Sequence, residues 1–397
     1  MNEKVVLDKI YTPPVGDLGI IGMSGCEELT EKINSYLYEG RTALFEQGFT
    51  PSSENFSDYC KRDYRIKHRC PRFGTGEGKA LVEESVRGLD IFIIVDVFNY
   101  GVTYKMYGTE RPMSPDDHFQ DLKRIIGAIE GKARRINVIM PMLYEGRQHR
   151  RTYRESLDCA IMLQELVKLG VDNIITFDAH DARVQNAIPL NGFEDFKPVY
   201  QMIKAIVHTN PDITFKKDET MIVSPDEGGM NRCIYYSEVL GAPLGMFYKR
   251  RDYSTVVNGR NPILSHEWLG DDVSGRDVFI VDDMISSGDS VLDIMKQLKA
   301  RNARRIFVCS SFGLFTAGCD SFDEAYAAGL FDGIYTTNLV YRRPELATRK
   351  WYHEVDMSKY LAYIINSLNH DHSLSGLLDP EEKIRTFLNE HRLEANK

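Results

Sequence analysis

The chain has 397 residues, 43% of them apolar and 27% charged, with 15 Pro and 30 Gly, which excludes a disordered or low-complexity protein and suits two domains of ordinary size. A formal charge of −9 excludes nucleic-acid binding driven by a basic surface, and leaves Arg147 to Arg151 and Lys249 to Arg251 as the places where an anionic small substrate would find positive charge. The seven cysteines lack Cys-x-x-Cys spacing and favour neither a disulfide framework nor a zinc site; with no leader-like start and no bilayer-length apolar run, the expected location is a reducing cytoplasm, with no membrane span.

In chain order, Ile91 to Val95 reads as a strand buried on both faces, and Asp121 to Ile129 has helical spacing. Strand signals return at Ile136 to Met140, Ile174 to Ile175, Met221 to Val223, Val278 to Val281 and Arg305 to Cys309. Helical stretches lie among them at Ser156 to Leu169 and Ser290 to Leu298. Such alternation predicts an α/β protein of mainly parallel sheets flanked by helices. Both signals lapse at Ile188 to Gly192, so the expected division is 1–193 and 194–378. Residues 379–397 follow as a helical tail, opened by Asp379, Pro380 and an acidic first turn, with Ile384, Leu388 and Leu393 spaced for docking.

Ligands of open α/β sheets sit outside the carboxyl ends of the strands, which singles out the residues after Ile175, Val223 and Val281. The richest of these segments runs Val278-Phe-Ile-Val-Asp-Asp-Met-Ile-Ser-Ser-Gly-Asp-Ser290. Asp282 and Asp283 are placed to accept hydrogen bonds from sugar hydroxyls, while Ser286, Ser287, Gly288 and Ser290 offer N–H groups and hydroxyls to a phosphate at a helix N-terminus. Acids and serines also cap helices routinely, and these residues alone leave both uses open. Taken singly, a basic loop at 147–151, a His180 after a strand, a Gly228-Gly229 pair and a basic turn at 249–251 are more often structural.

The order of buried strand, Asp-Asp and Ser-rich loop resembles the phosphoribosyl diphosphate-binding loop of the type I phosphoribosyltransferase fold. Further blocks, in order, resemble the ribose-phosphate pyrophosphokinase family: Phe73-Gly-Thr-Gly-Glu77, Glu84 to Gly88, Met140-Pro141 with Gly146 to Arg151, Phe177 to His180, Val223 to Gly229, Tyr248 to Arg251 and Phe312 to Phe315. The resemblance implies two tandem phosphoribosyltransferase-like domains: an ATP side in 1–193, with atypical insertions before 73 and at 97–115, and a ribose 5-phosphate side in 194–378. It implies ATP contacts for Thr75, Gly76, Glu77, Arg147, Gln148 and His149, the first three reaching adenine from a neighbouring subunit. By the same likeness His180, Asp226 and, less directly, Asp178 serve Mg²⁺, and Asp226, Gly228 and Gly229 form a pyrophosphate loop. Asp282, Asp283, Ser286, Ser287, Gly288, Asp289 and Ser290 would bind ribose 5-phosphate, with Lys249 and Arg251 as the catalytic cations. ATP is expected across the gap between the domains, in a homo-oligomer built from dimers, up to a hexamer.

The chain departs from the family pattern in places. Ser286 stands where the pattern has an Asp, Asp289 where it has a Gly, and His149 where it has an acid. A carboxylate beside a bound phosphate repels it unless it points away. These departures keep three other functions in view: a pyrophosphokinase with a different ribose-phosphate acceptor, a non-catalytic nucleotide-binding regulatory homologue, and a salvage phosphoribosyltransferase.

Overall fold

The computed structural model describes residues 7–10, 12–49, 59–151, 153–251 and 263–395, arranged in two compact units. The first unit holds a five-stranded sheet in the order Leu18–Gly22, Asp90–Ile94, Arg135–Ile139, Asn173–Phe177 and Gly192–Phe196, with every pairing parallel. Ile91, Ile93 and Val138 of its central strands pack with Leu122 of the helix Pro115–Ile129 and Leu163 of the helix Asp158–Lys168. The helix Pro115–Ile129 starts six residues before the expected Asp121. Its Ser114 hydroxyl accepts from Asp117 N at 3.2 Å, Asp117 caps back, and Pro115 opens the first turn.

The second unit holds a seven-stranded sheet in the order Ile263–Leu269, Leu244–Arg251, Thr220–Ser224, Asp277–Ile285, Arg305–Gly313, Gly333–Thr337 and Tyr352–Val355. All neighbours are parallel except the first pair. The alternation read from the sequence thus becomes two helix-flanked parallel sheets. All seven cysteines are free thiols, and among the described residues no helix is long and apolar enough to cross a membrane.

The units do not divide at the expected places. The boundary lies between Lys197 and Pro198, because Gly192–Phe196 is still a strand of the first sheet, paired in register from Asn173–Gly192 to Phe177–Phe196. It is a half-buried edge strand with polar positions, so it lacks the apolar run that marks the central ones. Residues 338–341 and 356–379 also belong to the first unit rather than to a continuous 194–378 domain. There the helix Ser358–Asn369 packs on the long helix Glu27–Glu46, and the Asn369 amide donates to Gly16 O at 3.0 Å. The tail is a helix, Glu381–Ala395, that joins the second unit by packing on the helices Val199–Thr209 and Met230–Leu240, with Ile384 and Leu388 buried. The side chain of Leu393 lies outside the described residues. The insertion at 97–115 contains a hairpin, Thr103–Met106 with Thr109–Pro112, closed by Tyr107 and Gly108 at φ 49° and 77°.

Both sheets share one buried polar device. Asp90, fully buried, opens a central strand and accepts two hydrogen bonds from Arg135, directly opposite it in register, at 2.9 and 2.8 Å. Asn137 and Asn369 donate to the same carboxylate at 2.8 and 2.9 Å. Asp277, 3% exposed, opens the matching strand of the second sheet and is gripped by Arg305, again directly opposite, and by Arg304. Burial opposes ionisation of Asp277, but the hydrogen bonds from Arg305 and Arg304 outweigh it and hold the carboxyl below its ordinary value. A folded-state value below the unfolded one makes this cluster stabilising above the unfolded carboxyl range. That stabilisation disappears as pH falls through the lowered value.

Removing one partner of a buried ion pair strands the other. Asp90→Ala is therefore expected to destabilise the protein by about 3–5 kcal/mol. Arg304→Ala, whose side chain is 48% exposed, should shift stability by less than about 1 kcal/mol, because solvent already screens it. Urea unfolding followed by circular dichroism measures both.

Candidate active site

In the second unit, Thr220–Ser224 runs parallel to Asp277–Ile285 with Val223 opposite Ile280, so the two loops that follow leave the sheet side by side at its carboxyl end. In the first loop the Ser224 hydroxyl donates to Asp226 O at 2.7 Å. Asp226 Oδ1 accepts from Gly228 N at 3.0 Å and from Gly229 N at 3.3 Å. A Cβ at Gly229 would lie 2.9 Å from Ser224 Oγ, so the loop closes this tightly only with glycine there. The sequence suggested that both N–H groups stand open to an anion. They are instead held by Asp226, and an incoming pyrophosphate has to take them over. The helix Met230–Leu240 starts directly after this turn.

In the second loop each acid folds onto the next peptide: Asp283 N donates to Asp282 Oδ1 at 2.9 Å and Met284 N to Asp283 Oδ1 at 3.0 Å. Asp283 is buried, whereas 32% of the Asp282 side chain is exposed. Desolvation, then the charge and hydrogen bond of Asp283, push the Asp282 carboxyl well above its ordinary value; Arg232 opposes the shift and Asp226 adds to it. Because part of Asp282 meets water, the shift is smaller than full burial would give.

Arg232 escaped the sequence reading. Its Nη1 lies 4.0 Å from Asp282 Oδ1, and only 12% of its side chain is exposed. The available signal was a cation in the first turn of a helix, where the partial positive charge of the N-terminus disfavours one. An arginine held there by acids on the neighbouring strand is therefore informative.

Gly288 precedes the helix Asp289–Ala300 with φ 94°, and a Cβ on it would stand 2.3 Å from the ring of Phe322. Only glycine satisfies both constraints. Ser286 and Ser287 are half-buried, Asp289 and Ser290 exposed. The Ser287 hydroxyl donates to Asp289 Oδ2 at 2.9 Å, so the departure noted at 289 reaches into the loop itself. Lys249 and Arg251 lie in the strand Leu244–Arg251, but their side chains and the Asp252 to Pro262 stretch lie outside the described residues.

In the first unit the strand Asn173–Phe177 ends in Asp178, a buried residue at φ 46° that lies 3.5 Å from the Lys197 ammonium. Lys197 also meets Asp195 at 2.7 Å, and Asp195 accepts from Ala179 N at 2.9 Å. Asp178 therefore anchors the turn and does not face solvent. His180 follows, exposed, with its ring 5.4 Å from that of His149. Burial holds the His149 imidazole below its usual value; Asp181, 3.5 Å away, pulls upward, and His180 and Arg150 add to the lowering. Arg147 is exposed on the same loop, where Gln148 N donates to Glu145 O at 2.8 Å. The structure thus brings Gln148, His149 and His180 to one neighbourhood around Asp181.

Thr75, Gly76 and Glu77 form a separate tight turn. Phe73 N donates to Glu77 O at 2.7 Å, and the Thr75 hydroxyl donates to Glu77 Oε2 at 2.8 Å. Arg72, pinned by Asp121 at 2.8 Å, fastens the turn to the helix Pro115–Ile129. The 103–112 hairpin braces it from outside, with Tyr107 N donating to Gly74 O at 2.8 Å. Among the described residues no three His, Cys, Asp or Glu side chains stand together as a metal cage.

Two parallel, helix-flanked sheets, one with an acid pair and a Ser-rich loop at its carboxyl end, define the phosphoribosyltransferase class of fold. Residues 18–170 match the model of the N-terminal domain of ribose phosphate pyrophosphokinase, and residues 198–334 match the phosphoribosyl transferase domain. The chain is 30% identical over 274 residues to a ribose-phosphate pyrophosphokinase of Parasynechococcus marenigrum, covering 68% of this chain and 74% of that one. It is 28% identical over 341 residues to the enzyme of Shewanella oneidensis, covering 84% and 98%. The crystal structure of phosphoribosylpyrophosphate synthetase from Mycobacterium smegmatis superposes with a TM-score of 0.68 at 19% identity, covering 89% of this chain and 99% of that one. The chain belongs to the ribose-phosphate pyrophosphokinase family.

Arg232 is the cation that faces Asp282 while Asp283 and Asp226 oppose its ionisation. Arg232→Gln is expected to raise the carboxyl value further, moving the acid limb of kcat/KM for the sugar phosphate to higher pH by roughly one unit. A pH–rate profile reads the shift, and an unchanged limb would detach Arg232 from the acid pair.

Proposed function

We propose that this chain is a ribose-phosphate diphosphokinase that moves the pyrophosphoryl group of MgATP to O1 of ribose 5-phosphate, giving 5-phosphoribosyl 1-pyrophosphate and AMP. The observation that carries this reading is the placing of the Asp226 glycine loop and the Asp282-Asp283 loop on adjacent parallel strands. Family membership supports the same activity.

The sugar's O1 forms a bond to the β-phosphorus of ATP while the bond from that phosphorus to the α,β-bridging oxygen breaks, and AMP leaves. Phosphoryl-type transfer asks for positioning and charge neutralisation rather than covalent catalysis. Asp282 and Asp283 accept hydrogen bonds from the sugar hydroxyls, and Ser286, Ser287, Gly288 and Ser290 hold its 5-phosphate. Gly228 and Gly229 release their N–H groups from Asp226 to the pyrophosphate. Lys249 and Arg251 neutralise charge on the transferred group. Arg147, Gln148, His149 and the Thr75 to Glu77 turn hold ATP.

Mg²⁺ takes oxygen ligands, keeps several waters and is commonly held by one or two protein groups plus substrate phosphates. Asp226 offers such an oxygen, and the exposed His180 fits a water-mediated contact. Asp178, buried beside Lys197, fits a role in anchoring the turn that carries His180. The ion supplies charge neutralisation on the phosphates when bound. Self-association from dimers belongs to the same proposal and is supported by the family likeness. The acid at 289 favours a second reading in which the preferred acceptor is another ribose-bearing phosphate.

AMP release from ATP and Mg²⁺ with ribose 5-phosphate measures the activity. Lys249→Ala is expected to lower the rate at least about a hundredfold, roughly 3 kcal/mol of transition-state stabilisation. Equal rates would remove Lys249 from the mechanism, and no AMP with any sugar phosphate would move the chain to the class of regulatory homologues.

A further inference from the structure

The Ser-rich loop contains its own anion. Asp289 is the first residue of the helix Asp289–Ala300, where partial positive charge and unpaired N–H groups attract negative charge, and its Oδ2 accepts the Ser287 hydroxyl at 2.9 Å. A sugar phosphate bound at this loop would seek that same hydroxyl and the same helix terminus. Gly288, locked at φ 94° against Phe322, fixes the peptide between the two side chains, so the loop has little room to separate them by moving its backbone. The neighbouring Ser290 is exposed, and Ser286 is tied through its carbonyl to Thr316 N at 2.9 Å.

We propose that Asp289 is an internal competitor of the substrate phosphate: its carboxylate occupies the Ser287 hydroxyl and the helix N-terminus in the unliganded loop and must give up both when the sugar phosphate binds. Asp289 thereby sets the affinity and selectivity of the acceptor site. The inference rests on the proposed function only in naming this loop as the acceptor site. Two consequences separate charge from geometry. Asparagine keeps an oxygen for Ser287 but carries no charge, whereas alanine removes both while leaving a residue that starts a helix well.

The test is isothermal titration of the purified full-length protein with ribose 5-phosphate, and separately with inorganic phosphate, comparing wild type with Asp289→Asn and Asp289→Ala. The expected result is tighter binding of both ligands, on the order of tenfold in Asp289→Ala with Asp289→Asn between it and wild type. A matching fall in KM for ribose 5-phosphate should accompany it. Unchanged or weaker binding in folded Asp289→Ala would overturn the proposal. Because binding is measured without turnover, a wild-type protein that releases no AMP yet shows the tighter binding would defeat the proposed activity and leave this inference standing. If no form binds ribose 5-phosphate or phosphate, this inference fails as well.

Discussion

An aspartate at the first residue of one central strand, held by an arginine at the first residue of the next, sets the register of both sheets. The central strands are apolar on both faces, as in Ile91-Phe-Ile-Ile94 and Val278-Phe-Ile-Val281, and hydrophobicity alone would tolerate a slip of one residue. The ion pair does not tolerate it, since a slip of one residue moves the partners by about 3.3 Å and leaves two buried charges apart. The same register places Val223 opposite Ile280, and so it decides where Asp226 and Asp282 emerge at the far end of the second sheet. A binding constellation needs its groups within about 0.5 Å of the productive geometry. A polar contact buried at one end of the sheet is thus a condition for chemistry at the other.

This device also shows what was legible in the sequence and what was not. The apolar runs announced the central strands, since only a strand buried on both faces carries four or five consecutive Ile, Val and Phe residues. The repetition of Asp-Ile-Phe-Ile-Ile at 90–94 and Asp-Val-Phe-Ile-Val at 277–281, with Arg-Ile at 135 and again at 305, lay open in the chain and marks equivalent strands of the two units. Edge strands were harder: Gly192–Phe196 is half-buried, and its Glu194 and Asp195 hide it from any hydrophobic criterion. The return of 356–379 to the first unit was illegible for a different reason. Its helix is apolar like any core helix, and nothing local says which sheet's neighbour it will cover.

At the site, residue types were legible and their pairings were not. The Gly-Gly pair and the serines pointed to an anion, yet in the unliganded fold their donors are engaged, Gly228 and Gly229 by Asp226 and Ser287 by Asp289. That follows from a general constraint: polar groups withdrawn from water need partners in every state of the protein. A loop built to receive phosphate must satisfy its donors before phosphate arrives, and a neighbouring carboxylate is the closest chemical mimic the chain has. Substrate binding is then an exchange of anions, and its free energy is a difference between two sets of charge-assisted hydrogen bonds.

Exchange alone does not balance the charge. Asp226, Asp282 and Asp283 share one edge of the second sheet, and Asp282 is already held above its ordinary carboxyl value by burial and by the charge of Asp283. Adding a phosphorylated sugar and a pyrophosphate to this edge brings several more negative charges into the same volume, and Arg232 offsets about one of them. Positive charge must therefore arrive with the substrate or from outside the two loops. Magnesium carried on the nucleotide phosphates meets the first requirement. The proposed Lys249 and Arg251 meet the second, since the strand that ends with them pairs with the strand leading to Asp226. A surplus of acids gives such a site weak affinity for bare phosphates and strong dependence on metal-bound ones, and this separates a metal-dependent pyrophosphokinase site from a simple phosphate pocket.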